Sequence, residues 1–128
     1  MRVLLDTHAF LWFLLDDPRL TPSARTVIEE PNNPVAVSPA SYWEIAIKIR
    51  LGKYALPEPY REFIEREIAD NDFRILPIDP RHAALLTTMP RHHNDPFDRL
   101  LIAQAIEEAI PIVSGDGVFD RDDVARIW

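Results

Sequence analysis

The chain has 128 residues, 47% of them apolar, enough for one domain (1–128) with a full hydrophobic core. It has no cysteine, which excludes disulfides, thiolate metal sites and a cysteine nucleophile. The net charge of −7 argues against a protein that only coats nucleic acid, but not against an enzyme whose carboxylates hold cations.

In chain order, Arg2–Leu5 reads as a short apolar strand and His8–Leu15 as a helix that is nearly apolar all round. Asp6 and His8 interrupt this region as a signal peptide, and no run reaches the roughly 18 apolar residues of a membrane span. A soluble cytoplasmic protein with no membrane contact is expected. Twelve prolines punctuate the chain, several of them directly after a residue that caps helices well. Thr21-Pro22, Ser38-Pro39, Asp79-Pro80 and Asp95-Pro96 therefore predict helix starts, giving helices over Pro22–Glu30, Pro39–Leu51, Pro80–Thr88 and Pro96–Ala109. Gly52 stands where the helix from Pro39 needs a C-terminal stop. A further helix is expected over Tyr60–Ala69, with strands at Val35–Val37, Phe73–Ile78, Ile112–Ser114 and Val124–Trp128. Strands alternating with helices predict an α/β fold with a mainly parallel sheet and helices on both faces. In such sheets, sites form beyond the carboxyl ends of the strands.

That rule directs attention to particular acids, each of which also has a plain structural explanation. Asp6 ends the first strand and is equally a cap for the helix after it. Glu44 belongs to a capping box with Ser41, or pairs with Lys48 one turn on; the better start at Ser38-Pro39 places it inside the helix. Asp95 is a strong cap, with Pro96 first in the helix and Asp98 third. Asp98 opens a buried helix and favours its dipole. Asp116 ends a strand in an Asp-Gly turn, and Asp120, Asp122 and Asp123 read as solvated loop acids. Jointly, two acids end strands and two lie in the first half of helices that follow strands, places that share one edge of a parallel sheet. Like charges gathered at one edge repel unless a cation neutralises them. Oxygen donors without thiolates suit Mg²⁺ or Mn²⁺ rather than zinc. His92 and His93 lack the spacing of a helical zinc pair, and His8 and His82 have no obvious partner. No phosphate-binding glycine loop or serine nucleophile elbow occurs.

Four segments occur in order: Leu4-Leu5-Asp6-Thr7-His8 through Trp12, Ser38 to Lys48 around Glu44, Asp95-Pro96-Phe97-Asp98 running into Leu100-Leu101-Ile102-Ala103-Gln104, and Ser114-Gly115-Asp116. Together they resemble the PIN domain, and within it the VapC-like toxins of prokaryotic toxin–antitoxin pairs. The resemblance implies a three-layer α/β/α sandwich and a Mg²⁺- or Mn²⁺-dependent endoribonuclease. Asp6, Glu44, Asp98 and Asp116 match its acidic quartet, as catalytic residues and metal ligands. Asp95 belongs to the motif as a further ligand or as a structural residue, and Asp120 is the nearest candidate for an additional acid. Thr7 and Ser114 match hydroxyl positions lining the substrate site. Where relatives often carry Arg, this chain has Gly115, so a basic contact to substrate is missing or comes from Arg91, Arg99 or Lys48. The resemblance also implies a homodimer and a small antitoxin that forms a hetero-oligomer with it. Phe10, Leu11, Trp12, Leu14 and Leu15 look too apolar to hide on every side, and with Trp43, Ile47 and Tyr54 they are expected to form the antitoxin surface. A PIN fold without chemistry, and a nuclease or phosphatase acting on DNA or another phosphate ester, stay open as alternatives. The Asp-x-Asp-x-Thr signature of one phosphatase class is absent.

Overall fold

A computed structural model describes residues 1–92 and 94–128. His93 lies outside the described residues, and with it part of the expectation about the histidine pair. Five strands, β1 (Val3–Leu5), β2 (Val35–Val37), β3 (Arg74–Ile75), β4 (Ile112–Val113) and β5 (Arg126–Ile127), form one sheet in the order β3-β2-β1-β4-β5. Every pairing is parallel, with Val3 opposite Val35 and Leu4 opposite both Ala36 and Ile112. The helices are α1 (Thr7–Leu14), α2 (Pro22–Glu29), α3 (Pro39–Arg50), α4 (Tyr60–Asp70), α5 (Pro80–Leu85) and α6 (Pro96–Glu108).

The alternation of a strand's side chains divides the core into two. Val3 and Leu5, with Val35, Val37 and Val113, pack beneath α1, α2 and α4. Leu4, with Ala36 and Ile112, faces the other way and packs against Leu101, Ile102 and Ala105 of α6 and against Phe119. Helices therefore cover both faces, and the three-layer α/β/α arrangement expected from the sequence is present with a sheet parallel throughout.

The proline-marked starts hold. Thr21 accepts the Ala24 N–H (3.1 Å), and Ser38 accepts that of Ala40 (3.1 Å). Gly52 takes φ of +75° directly after the last cap of α3, a conformation that favours glycine. The expected strand over Phe73–Ile78 is shorter, because β3 is the edge strand and Pro77 lacks a backbone donor. The helix expected to reach Thr88 ends at Leu85, where Thr87 turns its hydroxyl onto the Ala84 carbonyl (2.7 Å) ahead of Pro90. Among the described residues, no helix is long and apolar enough to cross a membrane.

One expectation is corrected. Phe10 is fully buried and Leu11 nearly so, while Trp12, Leu14 and Leu15 are half-buried against the same core. The face of α1 carrying Phe10 and Leu11 is core, because α1 lies directly on β1 and against α3. Phe10 and Leu11 present no surface to a partner. On α3 and the cap residue that follows it, by contrast, Trp43 is 63%, Ile47 39% and Leu51 63% exposed. They recur every four residues and so share one face of the helix.

Candidate active site

The parallel sheet brings the sequence-predicted acids to one edge. β1 and β4 are neighbours, so the residues following them, Asp6 and Asp116, emerge at the same carboxyl-terminal edge. The chain enters α3 from that edge after β2, which places Glu44 in its second turn there. α6 runs back toward the start of β4, so its first turn, carrying Asp98, lies at the same edge.

Asp6 combines both roles foreseen for it. Its Oδ1 accepts the Ala9 N–H at 2.7 Å and caps α1, while the Ser114 hydroxyl donates to the carboxylate. It is 4% exposed, and burial raises its pKa despite those hydrogen bonds, with Asp116 raising it further. Glu44 is also buried, inside α3 rather than at its start, which excludes the capping box with Ser41. Lys48 Nζ donates to its Oε2 at 2.7 Å, as the four-residue spacing suggests. Its Oε1 is buried with no hydrogen-bond partner among the described residues. Asp98 is half-buried, and its pKa is pushed up to about 7, first by burial and then by Asp95, Asp6, Glu44 and Asp116. Five carboxylates thus share one electrostatic neighbourhood, and burial there has been accepted without a matching set of cations.

The remaining expected residues divide by their bonding. Asp95 Oδ1 accepts the N–H groups of Phe97 (2.9 Å) and Asp98 (3.2 Å), so it caps α6. Asp116 Oδ1 accepts the Val118 N–H (2.9 Å), opening a 3-10 turn over Gly117–Arg121. Asp120 has both oxygens engaged by the fork of Arg126 (2.9 and 3.0 Å). Thr7 donates to Ser41 Oγ (3.2 Å) inside the protein, joining α1 to α3. Ser114 is fully buried, and its Oγ also accepts the Asp116 N–H (3.0 Å), so it positions both acids. Of the basic candidates, Lys48 is held by Glu44, Arg99 donates to the Pro90 carbonyl (3.2 Å), and Arg91 is exposed.

The donors suit a hard divalent cation: oxygen ligands, one with an unpartnered buried atom, and a carboxyl whose pKa is raised by burial and then by its neighbours' charge. Among the described residues, however, no three His, Asp or Glu side chains converge closely enough to clasp an ion together as they stand. A ligand set built here is incomplete without water, which Mg²⁺ commonly retains.

Sequence reasoning missed Ser41 as a partner of Thr7, and it missed the contact of Trp128 with Gly115. A Cβ at residue 115 would meet Trp128 Cε2 at 2.7 Å and Cζ2 at 2.8 Å. The departure at Gly115 was visible in the sequence, but its cause lies at the last described residue.

Comparison with known proteins agrees with this geometry. The family model described as the PIN domain matches residues 3–124. A protein named Ribonuclease VapC22, from Mycobacterium tuberculosis, is 31% identical over 89% of this chain and 86% of its own length. Ribonuclease VapC16 from the same organism is 35% identical over 52% of this chain and 50% of its own. Among solved structures, VapBC2 from Rickettsia felis bound to a promoter DNA fragment superposes with a TM-score of 0.71 at 15% identity, covering 98% of this chain and 97% of that one. FitAB bound to a DNA fragment gives 0.70 at 22% identity, covering 97% and 92%. At these identities the structures speak for the fold alone. The chain belongs to the PIN-domain family, in its VapC-like branch.

Proposed function

We propose that this protein is the ribonuclease toxin of a toxin–antitoxin pair and that it requires Mg²⁺ or Mn²⁺. The observation that carries the reading is Asp98, drawn up to about 7 at an edge where Asp6, Glu44 and Asp116 also gather. The ribonuclease names of the sequence relatives support the reaction, and the VapBC complexes among the structural neighbours support the partner.

Asp6, Glu44, Asp98 and Asp116 are the proposed ligands and catalytic residues. Bound there, a divalent ion supplies polarisation of a phosphodiester and acidification of a coordinated water. The chain's own part is to hold carboxylates in place. Ser114 and the Ala9 N–H orient Asp6, and Lys48 fixes one oxygen of Glu44 while the other keeps its capacity to coordinate. Asp95 caps α6 and adds negative potential at Asp98. Thr7 and Ser114 act mainly by positioning, and Arg99 is the basic residue assigned to the RNA backbone.

The antitoxin surface is assigned to the exposed stripe Trp43 and Ile47 of α3 and Leu51 at its cap, together with the half-buried Trp12, Leu14 and Leu15. An antitoxin arginine reaching the acids would inhibit by ion pairing. The working unit is a homodimer, joined with antitoxin in a hetero-oligomer.

The test is cleavage of total cellular RNA by purified protein with Mg²⁺, with EDTA, and with Asp6→Asn. Discrete products lost under both changes support the reading. Cleavage of DNA but not RNA, or no cleavage by a folded, antitoxin-free protein that also binds no Mn²⁺, would overturn it.

A further inference from the structure

Beside the acids lies an open pocket of about 470 Å³, within the roughly 300–1,000 Å³ common for ligand sites. Asp6 and Asp116, with Gly115 and Gly117, line one part of it; His8, Trp12, Arg19 and Trp128 line the rest. His8 stacks on Trp12 with ring centroids 5.2 Å apart, and Trp128 lies tilted against Trp12 at 5.9 Å. The Arg19 guanidinium sits 4.8 Å over the Trp12 ring. These planes are held from behind. His8 Nε2 hydrogen-bonds with Tyr54 Oη (3.1 Å), and Arg19 donates to Asp17 through Nη2 (2.7 Å) and Nε (3.1 Å).

Core packing explains part of this arrangement, since Trp12 and Trp128 both pack against the larger core cluster. It does not explain why their remaining surfaces line a pocket that ends at two site acids. Nor does it explain Gly115, where any side chain would collide with the Trp128 ring. A side chain at residue 115 would require the Trp128 ring to move out of its place in the pocket wall.

We propose that the pocket seats a nucleobase of single-stranded RNA, beside the phosphodiester that lies at Asp6 and Asp116; this rests on the ribonuclease reading above. The chemistry favours a base over a phosphate. Rings and a guanidinium plane offer stacking partners, which every base accepts through its π-face. In a chain of net charge −7, overall electrostatic attraction to the RNA backbone is weak, which gives stacking a larger share of the binding. A base must leave its own stack to enter, which selects single-stranded loops or ends.

Two measurements on the full chain test the proposal. First, a short single-stranded RNA carrying 5-iodouridine is bound in EDTA, irradiated, and its cross-links mapped by mass spectrometry. Cross-links on Trp12, Trp128 or His8 are expected. Second, steady-state cleavage is compared for the wild type, Trp128→Ala and Trp128→Phe. Trp128→Ala is expected to raise KM roughly tenfold to a hundredfold, the size that base stacking carries, and to relax base preference next to the cut. Trp128→Phe retains most of both. Asp6-dependent cleavage with cross-links only elsewhere, or with KM and base preference unchanged in a folded Trp128→Ala, would overturn the pocket and leave the ribonuclease reading standing. No cleavage and no cross-link by the folded wild type would remove both. If Trp128→Ala does not fold, the cross-link map decides alone.

Discussion

At the carboxyl-terminal edge of the sheet, burial and four neighbouring acids push Asp98 up to about 7. At the opposite end, Glu108 closes α6 and is drawn below its ordinary pKa, first by its hydrogen bond with His82 and then by Arg2 and Arg81. His82 Nε2 lies 2.9 Å from Glu108, and Arg2 lies 3.2 Å away; Arg81 makes a further short ion pair. His82 Nδ1 accepts the Asp79 N–H (2.9 Å), so the buried ring is neutral and donates through Nε2. One end of the sheet answers each charge within the protein, and the other gathers five carboxylates around the single ion pair of Glu44 with Lys48 among the described residues. The first arrangement is explained by folding alone. The second costs stability, and such sites mark function.

Removing an acid at each end should have opposite consequences for activity and stability. Asp98→Asn should reduce RNA cleavage on the order of a thousandfold, since a misheld metal forfeits several kcal/mol of transition-state stabilisation. Its melting temperature should hold or rise. Glu108→Ala should leave cleavage intact but cost about 1–3 kcal/mol, because the buried His82 N–H loses its acceptor. That loss is read as a drop of several degrees in Tm.

A pH series sharpens the contrast. Between the ordinary Asp value of 3.8 and about 7, folded Asp98 holds a proton that the unfolded chain has released. Metal-free protein should therefore gain stability from Asp98 as pH falls through that range, and Asp98→Asn should abolish this gain. Glu108 has the opposite sign: its contribution is present above the unfolded pKa and is lost as pH falls through the lowered folded value. Saturating Mg²⁺ should suppress the Asp98 contribution, because the metal competes with the proton. Denaturant titrations with and without metal measure both slopes. The smallest effect belongs to Gly115→Ala, where the new Cβ displaces Trp128 at about 1–3 kcal/mol of overpacking. Its cleavage should fall less than in Trp128→Ala.

The sheet and its acids were legible in the sequence because local signals coincide with the topology. A proline after a capping residue marks where a helix begins, and an acid closing a buried strand emerges at the sheet edge. Phe10 and Leu11 were misread because apolar content does not reveal which side of a short helix meets the sheet. The pairing of Asp120 with Arg126, and the closure of Gly115 by Trp128, depend on β5 lying beside β4. No local pattern encodes that adjacency. Glu44 was placed correctly because Ser38-Pro39 is the better helix start, but its unpartnered oxygen becomes evident only once α3 is packed.

The strand order has a consequence for synthesis. β1 precedes β2 and β3 in the chain, yet it lies in the middle of the sheet and pairs with β4, which follows all three. Closing so long a loop is slow, and the pairing must wait for the later strand to emerge from the ribosome. Asp6 meets Asp116 only after that step, so an incomplete nascent chain lacks the assembled site. A chain interrupted anywhere before β4 therefore carries Asp6 without the carboxylate that faces it across the sheet edge.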